Sequence, residues 1–407
     1  VLRKVKVALI SFLSLFLVFL GACSSDSPGG GKANGSKKGN KTPIKIGLVA
    51  SLSGALEAYG KQTEQGLKLG IEYATNGTNE IDGHPIQIIS KDGEAKPEVG
   101  VKVATELLTQ DKVDFIVGAS SSAVALAMEP LALQYKKIMI VEPAVADSIT
   151  GQNFNKYIFR TARNSSQDAA AGAAAIAKPG VKIATLAPDY AFGHDGVNAF
   201  KKEAEKRGAK IVAEEYPAPD ATDFTANIQK IIDAKPDYLF VVWAGANTPW
   251  KQLQDMKIQD HGIKLSTGAP DIAALKTMKD AVGMEGFTVY YYKLPKNDVN
   301  DWLVKKMKEE YHAVPDLFTP GGMSAGIAIV EALKKAGVGA STDELIKTME
   351  GMSFQTPKGE MTFRKEDHQA LQTLYKIRLE DTGLDYPEPV LIQELSPKDT
   401  EPPIMNK

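Results

Sequence analysis

Ile44-Lys-Ile-Gly-Leu-Val-Ala50, the Gly/Ser segment Ser51-Leu-Ser-Gly54-Ala-Leu-Glu-Ala-Tyr59-Gly60 and a helix-periodic run over residues 61–74 set the unit from which the chain is built. The aliphatic run reads as a strand, the glycines and serines as the turn that leaves it, and the apolar spacing beyond as a helix. The unit repeats. Ile86-Gln-Ile-Ile-Ser90 precedes a helical pattern over residues 99–110, Asp114-Phe-Ile-Val-Gly118 precedes one over 123–135, and Ile138-Met-Ile-Val141 follows. Near-continuous apolar strands separated by helices predict a parallel sheet covered on both faces. The rhythm restarts with strands over 181–187, 209–216, 238–243 and 263–267, interleaved with helices near 197–206, 223–234 and 248–256. Two such series predict an α/β protein of two doubly wound parallel-sheet lobes facing a cleft. In sheets of this kind ligands bind outside the carboxyl ends of the strands.

Composition agrees with a soluble globular body. The 407 residues are 43% hydrophobic, 24% charged and 7% aromatic, with a mean hydropathy of -0.18. Disordered, collagenous, coiled-coil and polytopic membrane classes are excluded. A body of roughly 385 residues exceeds one compact core and calls for two or three domains. The single cysteine, Cys23, excludes an intrachain disulfide and a zinc site built on a cysteine cluster.

Cys23 sits in a leader. Arg3, Lys4 and Lys6 precede an uncharged apolar run over residues 7–20, followed by Gly21 and Ala22. Fourteen helical residues reach about 21 Å against the roughly 30 Å of a hydrocarbon core, so a signal peptide over 1–22 is favoured over a transmembrane anchor. Leu20-Gly21-Ala22-Cys23 resembles the bacterial lipobox, whose cysteine is acylated after cleavage before it. That resemblance makes Cys23 the lipidation site and places the protein outside the cytoplasm, anchored to the bacterial cell membrane. Residues 23–42, rich in Gly, Ser, Asn and Lys, read as a flexible tether with a reach of roughly 25 Å. Residues 1–41 carry seven basic and one acidic residue, net +6, which leaves -8 on the remainder. An acidic body offers no electrostatic footprint for nucleic acid.

Catalytic and metal patterns are missing from the sequence. The run from Gly118 lacks the last glycine of a G-x-S-x-G elbow, and His84, His194, His261, His312 and His368 have no metal-ligand spacing. The reading is therefore of a protein that is not an enzyme, with no metal and no cofactor. The loops after the strands offer binding chemistry instead. Tyr59 supplies an aromatic wall or packs on a neighbour. Ser120, Ser121 and Ser122 open a helix, where hydroxyls and free N–H groups suit a carboxylate or simply cap the helix. Ala144 and Val145 offer backbone and small side chains. Tyr190, Phe192 and Trp243 are aromatic groups at strand ends, and Asp271 either pairs with a ligand ammonium or caps the helix after it.

With these segments in this order, the chain resembles the type I solute-binding proteins of ABC importers, in the branched-chain amino acid (Leu/Ile/Val) group. The resemblance spans residues 44–395. It rests on the first strand with Ser53-Gly54, on Gly118-Ala-Ser-Ser-Ser-Ala123, on Phe159-Arg160-Thr161, on Asp189-Tyr-Ala-Phe-Gly193 and on the helix-rich return after Tyr292. It implies lobe 1 at 43–161 and 295–369, lobe 2 at 162–294 and 370–395, three crossing strands between them and a C-terminal tail at 396–407. It further implies that Tyr59, Ser121, Ser122, Ala144, Val145, Phe192 and Asp271 line the cleft. The serines would hold a carboxylate and Asp271 an ammonium, and a monomer would deliver its ligand to permease subunits. Two departures bear on specificity. A threonine usual near Ala146 is missing, and a common tyrosine falls near Ala246. Arg364-Lys-Glu-Asp367-His368-Gln369 looks like the branch whose ligands include aromatic carboxylates and amides. The expectation is a branched-chain or related amino acid, with an aromatic or other small carboxylate or amide as the alternative. A ligand sensor is the second alternative.

Overall fold

The computed structural model describes residues 41–245, 247–268 and 270–407. The leader, Cys23 and nearly all of the tether, as well as Ala246, lie outside the described residues. Its first sheet is formed by β1 (Ile44–Ala50), β2 (Glu80–Ile81), β3 (His84–Asp92), β4 (Phe115–Gly118), β5 (Ile138–Val141) and β6 (Ile158–Arg160), in the order β2-β3-β1-β4-β5-β6. All pairings are parallel except β2 with β3. Ile46, Leu48 and Val49 of β1 are fully buried, as expected of a strand covered on both faces.

The covering helices are α1 (Glu57–Ala74), α2 (Pro97–Glu106) and α3 (Ser122–Tyr135). After β6 the chain enters α4 (Ser165–Ile176) and a second parallel sheet, formed by β7 (Lys182–Leu186), β8 (Lys210–Glu215), β9 (Tyr238–Val241) and β10 (Lys264–Thr267) in the order β10-β9-β7-β8. Its helices are α5 (Ala191–Lys206), α6 (Thr225–Ala234), α7 (Trp250–Asp255) and α8 (Ile272–Thr277). β11 (Glu285–Thr288) follows, bridged in parallel to Gly268 through Phe287. The chain then returns to pack α9 (Asp298–Tyr311), α10 (Thr319–Ala336) and α11 (Thr342–Met349) on the first half, with the short meander β12 (Ser353–Thr356), β13 (Gly359–Phe363) and β14 (Ala370–Leu371). Finally β15 (Leu374–Glu380) pairs antiparallel with β11, and β16 (Glu388–Leu395) pairs antiparallel with the far edge of β15. The second half is thus a parallel sheet continued by an antiparallel hairpin, a feature the strand rhythm over 181–267 does not contain.

One apolar cluster holds the first sheet with α9–α11 and ends at Phe159, resumes at Val299 and stops at Ala370. Two others hold the second half, from Ala169 to Tyr290 and again from Leu374 to Leu395, with Leu317 and Phe318 reaching into one of them from the segment before α10. The chain therefore passes between the halves near 160–168, 291–298 and 371–373. A buried side chain ties the first and last passages together. Arg160 Nε donates to Gln369 Oε1 at 2.6 Å, Nη1 to the Ala146 carbonyl at 2.6 Å, and Nη2 to Thr150 Oγ1. Among the described residues no helix is long and apolar enough to cross a membrane.

Candidate functional site

The turns after β1, β4 and β5 face those after β7, β9 and β10, and a cavity of about 60 Å³ lies between them. Tyr59, Ser120, Ser122, Ala144, Val145 and Arg163 come from the first half and its exit, while Tyr190, Phe192, Phe240, Trp243 and Phe287 come from the second. An outer recess of about 510 Å³ adjoins it, lined by the start of α1 and by Gly245, Thr248, Asp271 and Ala274. Tyr59 borders both spaces. Its ring lies 4.3 Å from that of Phe318, and its hydroxyl oxygen accepts the Gly245 N–H at 3.2 Å. Burial, with the Asp271 charge adding to it, pushes the Tyr59 phenol well above its ordinary range.

Of the two expected serines, Ser122 lines the cavity and Ser121 does not. Ser121 is the N-cap of α3 with extended backbone and makes no side-chain cap bond, and it does not reach the cavity wall. Ser120 and Ser122, on either side, do. Ser120 Oγ accepts the Ser51 N–H at 3.1 Å, and Ser122 Oγ accepts those of Val145 and Ala146 at 3.3 and 3.2 Å. Each hydroxyl thus spends acceptor capacity on the backbone and keeps its proton to donate.

Asp271 stands in the outer recess rather than on the inner wall. Its Oδ1 accepts the Ala274 N–H at 2.7 Å as the N-cap of α8. Burial raises its carboxyl above the ordinary value, with the Ala274 N–H opposing. Across the cleft, Asp316 accepts the Ile272 N–H at 3.3 and 3.2 Å, and burial with the Asp271 charge lifts it to about 6. Trp243 lines the wall with its indole N–H donated to the Asn247 carbonyl at 2.7 Å, and Tyr190 and Phe192 sit 5.8 Å apart at the head of α5. The Arg364–Gln369 segment does not line the cavity. Arg364 is paired with Asp367 at 2.6 Å, and the His368 ring stacks on Phe159 at 3.9 Å, so the segment builds the crossover.

Arg163 and Asp168 escape a reading confined to strand ends. Arg163 leaves β6 next to the N-cap of α4, and its Nε donates to Asp168 Oδ1 and Oδ2 at 3.1 and 3.2 Å. Both residues line the cavity. A lone carboxylate at the head of the otherwise uncharged α4 is the sequence signal that marks the pair. Burial raises the Asp168 carboxyl, with Arg163 pulling it back. Phe240, Phe287 and Phe318 complete apolar walls of the kind that bury a small organic ligand. Among the described residues no cluster of His, Cys, Asp and Glu has the arrangement of a metal site.

The comparisons with known proteins follow the same lines. A family model for periplasmic binding proteins matches residues 43–383. A solved structure titled an ABC-type branched-chain amino acid transporter, from Rhodopseudomonas palustris, is 50% identical and superposes with a TM-score of 0.79, covering 89% of this chain and 100% of that one. A second, a solute binding protein of an ABC transporter from another strain of that organism in complex with 3,4-dihydroxy benzoic acid, is 31% identical at a TM-score of 0.77, with 87% and 97% covered. The Leu/Ile/Val-binding protein homolog 6 of Brucella abortus is 24% identical over 359 residues, which is 84% of this chain and 90% of that protein. With two parallel sheets facing across a cavity fed by their strand ends, this chain belongs to the periplasmic binding protein family.

Proposed function

We propose that the protein is the extracytoplasmic receptor of an ABC importer, capturing a small carboxylate between its halves and delivering it to the permease. The observation that supports this best is the cavity itself. It draws Tyr59, Ser122, Ala144 and Val145 from one half and Tyr190, Phe192 and Trp243 from the other, so a ligand bound there bridges both and favours closure. A branched-chain or related amino acid is the first ligand class, in keeping with the 50% identical relative. The phenylalanine walls and the dihydroxybenzoate complex of the 31% identical relative favour an aromatic carboxylate as the second reading.

Thermal unfolding of the purified protein against amino acids, aromatic acids and amides tests the role. A binder present at a hundred times its Kd stabilises by about 2.7 kcal/mol. A panel that leaves the midpoint unmoved throughout would remove the receptor reading. Lipid attachment at Cys23 belongs to the same proposal and rests on Leu20-Gly21-Ala22-Cys23. Metabolic labelling with a tagged fatty acid is expected to mark the native chain and to fail in Cys23→Ser.

A further inference from the structure

Arg163 is 7% exposed. One of its donors is spent, since Nε is held by both oxygens of Asp168. Its guanidinium carbon lies 5.7 Å from the Phe318 ring centroid, so one face of the group rests on an aromatic ring. Nη1 and Nη2 remain. Among the described residues neither donates to any protein acceptor, and the side chain lines the cavity. A buried guanidinium with unspent donors is costly, and a planar fork of this kind matches a carboxylate edge on.

Three hydroxyls of the inner wall point the same way. Ser120 and Ser122 have spent acceptor capacity on backbone N–H groups and keep protons to donate. The Tyr59 oxygen accepts from Gly245 and likewise keeps its proton. The acceptors left for an ammonium on the inner wall are mostly neutral: Ser165 Oγ, whose proton goes to the Val145 carbonyl at 3.0 Å, and the Tyr190 hydroxyl. Asp271 caps α8 from the outer recess. Asp168 is on the wall, but an ammonium drawn to it would lie beside the Arg163 guanidinium already bound there, and like charges at that range repel.

We propose that Arg163, oriented by Asp168 and Phe318, is the residue that selects ligand charge, and that the site takes organic monocarboxylates lacking an ammonium group in preference to amino acids. This rests on the receptor reading and deepens it by reversing the order of its two ligand classes, with the carboxylate that lacks an ammonium placed first.

Calorimetric titration of the purified protein with two matched pairs tests the inference: leucine against its 2-oxo acid, and benzoate against benzamide. Wild type is expected to prefer the oxo acid over leucine and benzoate over benzamide, each by at least about tenfold. Arg163→Met is expected to weaken the anion of each pair by about 100-fold and the benzamide by less than about threefold, so that the preference for charge collapses. A packing role alone would weaken both members equally. Asp168→Asn separates anchor from ammonium acceptor, because it leaves the Arg163 charge in place. The anions are then expected to bind within about tenfold of wild type, whereas an ammonium-binding Asp168 would lose leucine. If Arg163→Met does not fold, Arg163→Lys keeps the charge without the fork and is expected to retain the preference at reduced affinity. Tighter binding of leucine than of its oxo acid, or an unchanged benzoate-to-benzamide ratio in Arg163→Met, overturns the inference and leaves the receptor reading standing. Loss of leucine binding in Asp168→Asn with leucine the better ligand also overturns it. Failure of every compound on wild type overturns both.

Discussion

Asp271 and Glu129 show how different a buried carboxylate is with and without a hydrogen-bond donor. Asp271 is satisfied by the Ala274 N–H, and asparagine caps as well as aspartate does. Asp271→Asn is therefore expected to unfold within about 0.5 kcal/mol of wild type, and Asp271→Ala to cost about 1 kcal/mol in urea titrations. Neither is expected to change ligand affinity more than about twofold in calorimetry; a larger loss would return Asp271 to the ligand. Glu129, on α3, is 2% exposed and both its carboxyl oxygens lack a hydrogen-bond partner among the described residues. Burial lifts its carboxyl to about 9, with the Arg160 charge opposing. The native state then keeps a proton that the unfolded chain releases above the ordinary value of 4.5, so stability is fullest below that value and declines as pH rises toward about 9. Between pH 5 and 8 the decline attributable to this group is on the order of a few kcal/mol, and Glu129→Gln is expected to abolish it. Denaturant midpoints of wild type and variant at those two pH values check this, and parallel slopes would refute it.

At the scale of elements, α1 and α10 carry the site because they touch backbone to backbone. A Cβ on Gly66 would lie 2.0 Å from the Thr319 carbonyl oxygen, and one on Gly322 would lie 2.2 Å from that of Thr63. The contact holds Tyr59 at the head of one helix against Phe318 just before the other. Gly66→Ala must push the helices apart, at a cost of about 2–3 kcal/mol by denaturant unfolding, with a loss of ligand affinity because the Tyr59–Phe318 wall moves. Unaltered affinity in a destabilised variant would separate helix packing from the site. The parallel strands and their helices were legible because buried strands are continuous apolar runs that composition alone marks. The hairpin of β15 and β16 was not. Its inner strand alternates apolar and charged residues, and its outer strand exposes Leu391 at 44% and Ile392 at 40%, so neither reads as a strand buried on both faces. Ser122 lines the cavity as expected and Ser121 does not, because which of three successive serines faces the cavity is set by the strand-to-helix turn, which leaves Ser121 at the N-cap. Arg160 and Arg163 look alike in Phe159-Arg-Thr-Ala-Arg163, yet the first is consumed by Gln369 and the second is turned to the cavity. That distinction depends on a partner more than two hundred positions away, which no local pattern contains.

For the whole molecule, function on this reading depends on how firmly the halves hold together. Away from the passages near 160–168, contacts between the halves among the described residues include Gly245 N–H to the Tyr59 hydroxyl, Ile272 N–H to Asp316, and Ser148 to Asp195. The last is the strongest by geometry, since the Ser148 N–H and hydroxyl both donate to Asp195 Oδ2, at 3.0 and 2.9 Å. It also lies outside the cavity wall, so it is the place to alter closure without touching the ligand. Charge-assisted hydrogen bonds of this kind are worth about 1.5–3 kcal/mol, offset in part by rehydration once the halves separate. Asp195→Ala is therefore expected to shift the balance between closed and open forms by about 1–2 kcal/mol. Because only the closed form presents both walls, apparent affinity should fall about 5- to 30-fold, mostly as faster ligand release. Small-angle scattering of the ligand-free variant is expected to give a larger radius of gyration than wild type, and saturating ligand is expected to bring the two together. Ser148→Ala, which keeps the backbone donor, should lie between them. An unchanged radius with unchanged release in Asp195→Ala would mean that the Tyr59 and Asp316 contacts hold the halves on their own, and the double variant of Asp195 with Tyr59→Phe would then be the one to open the cleft.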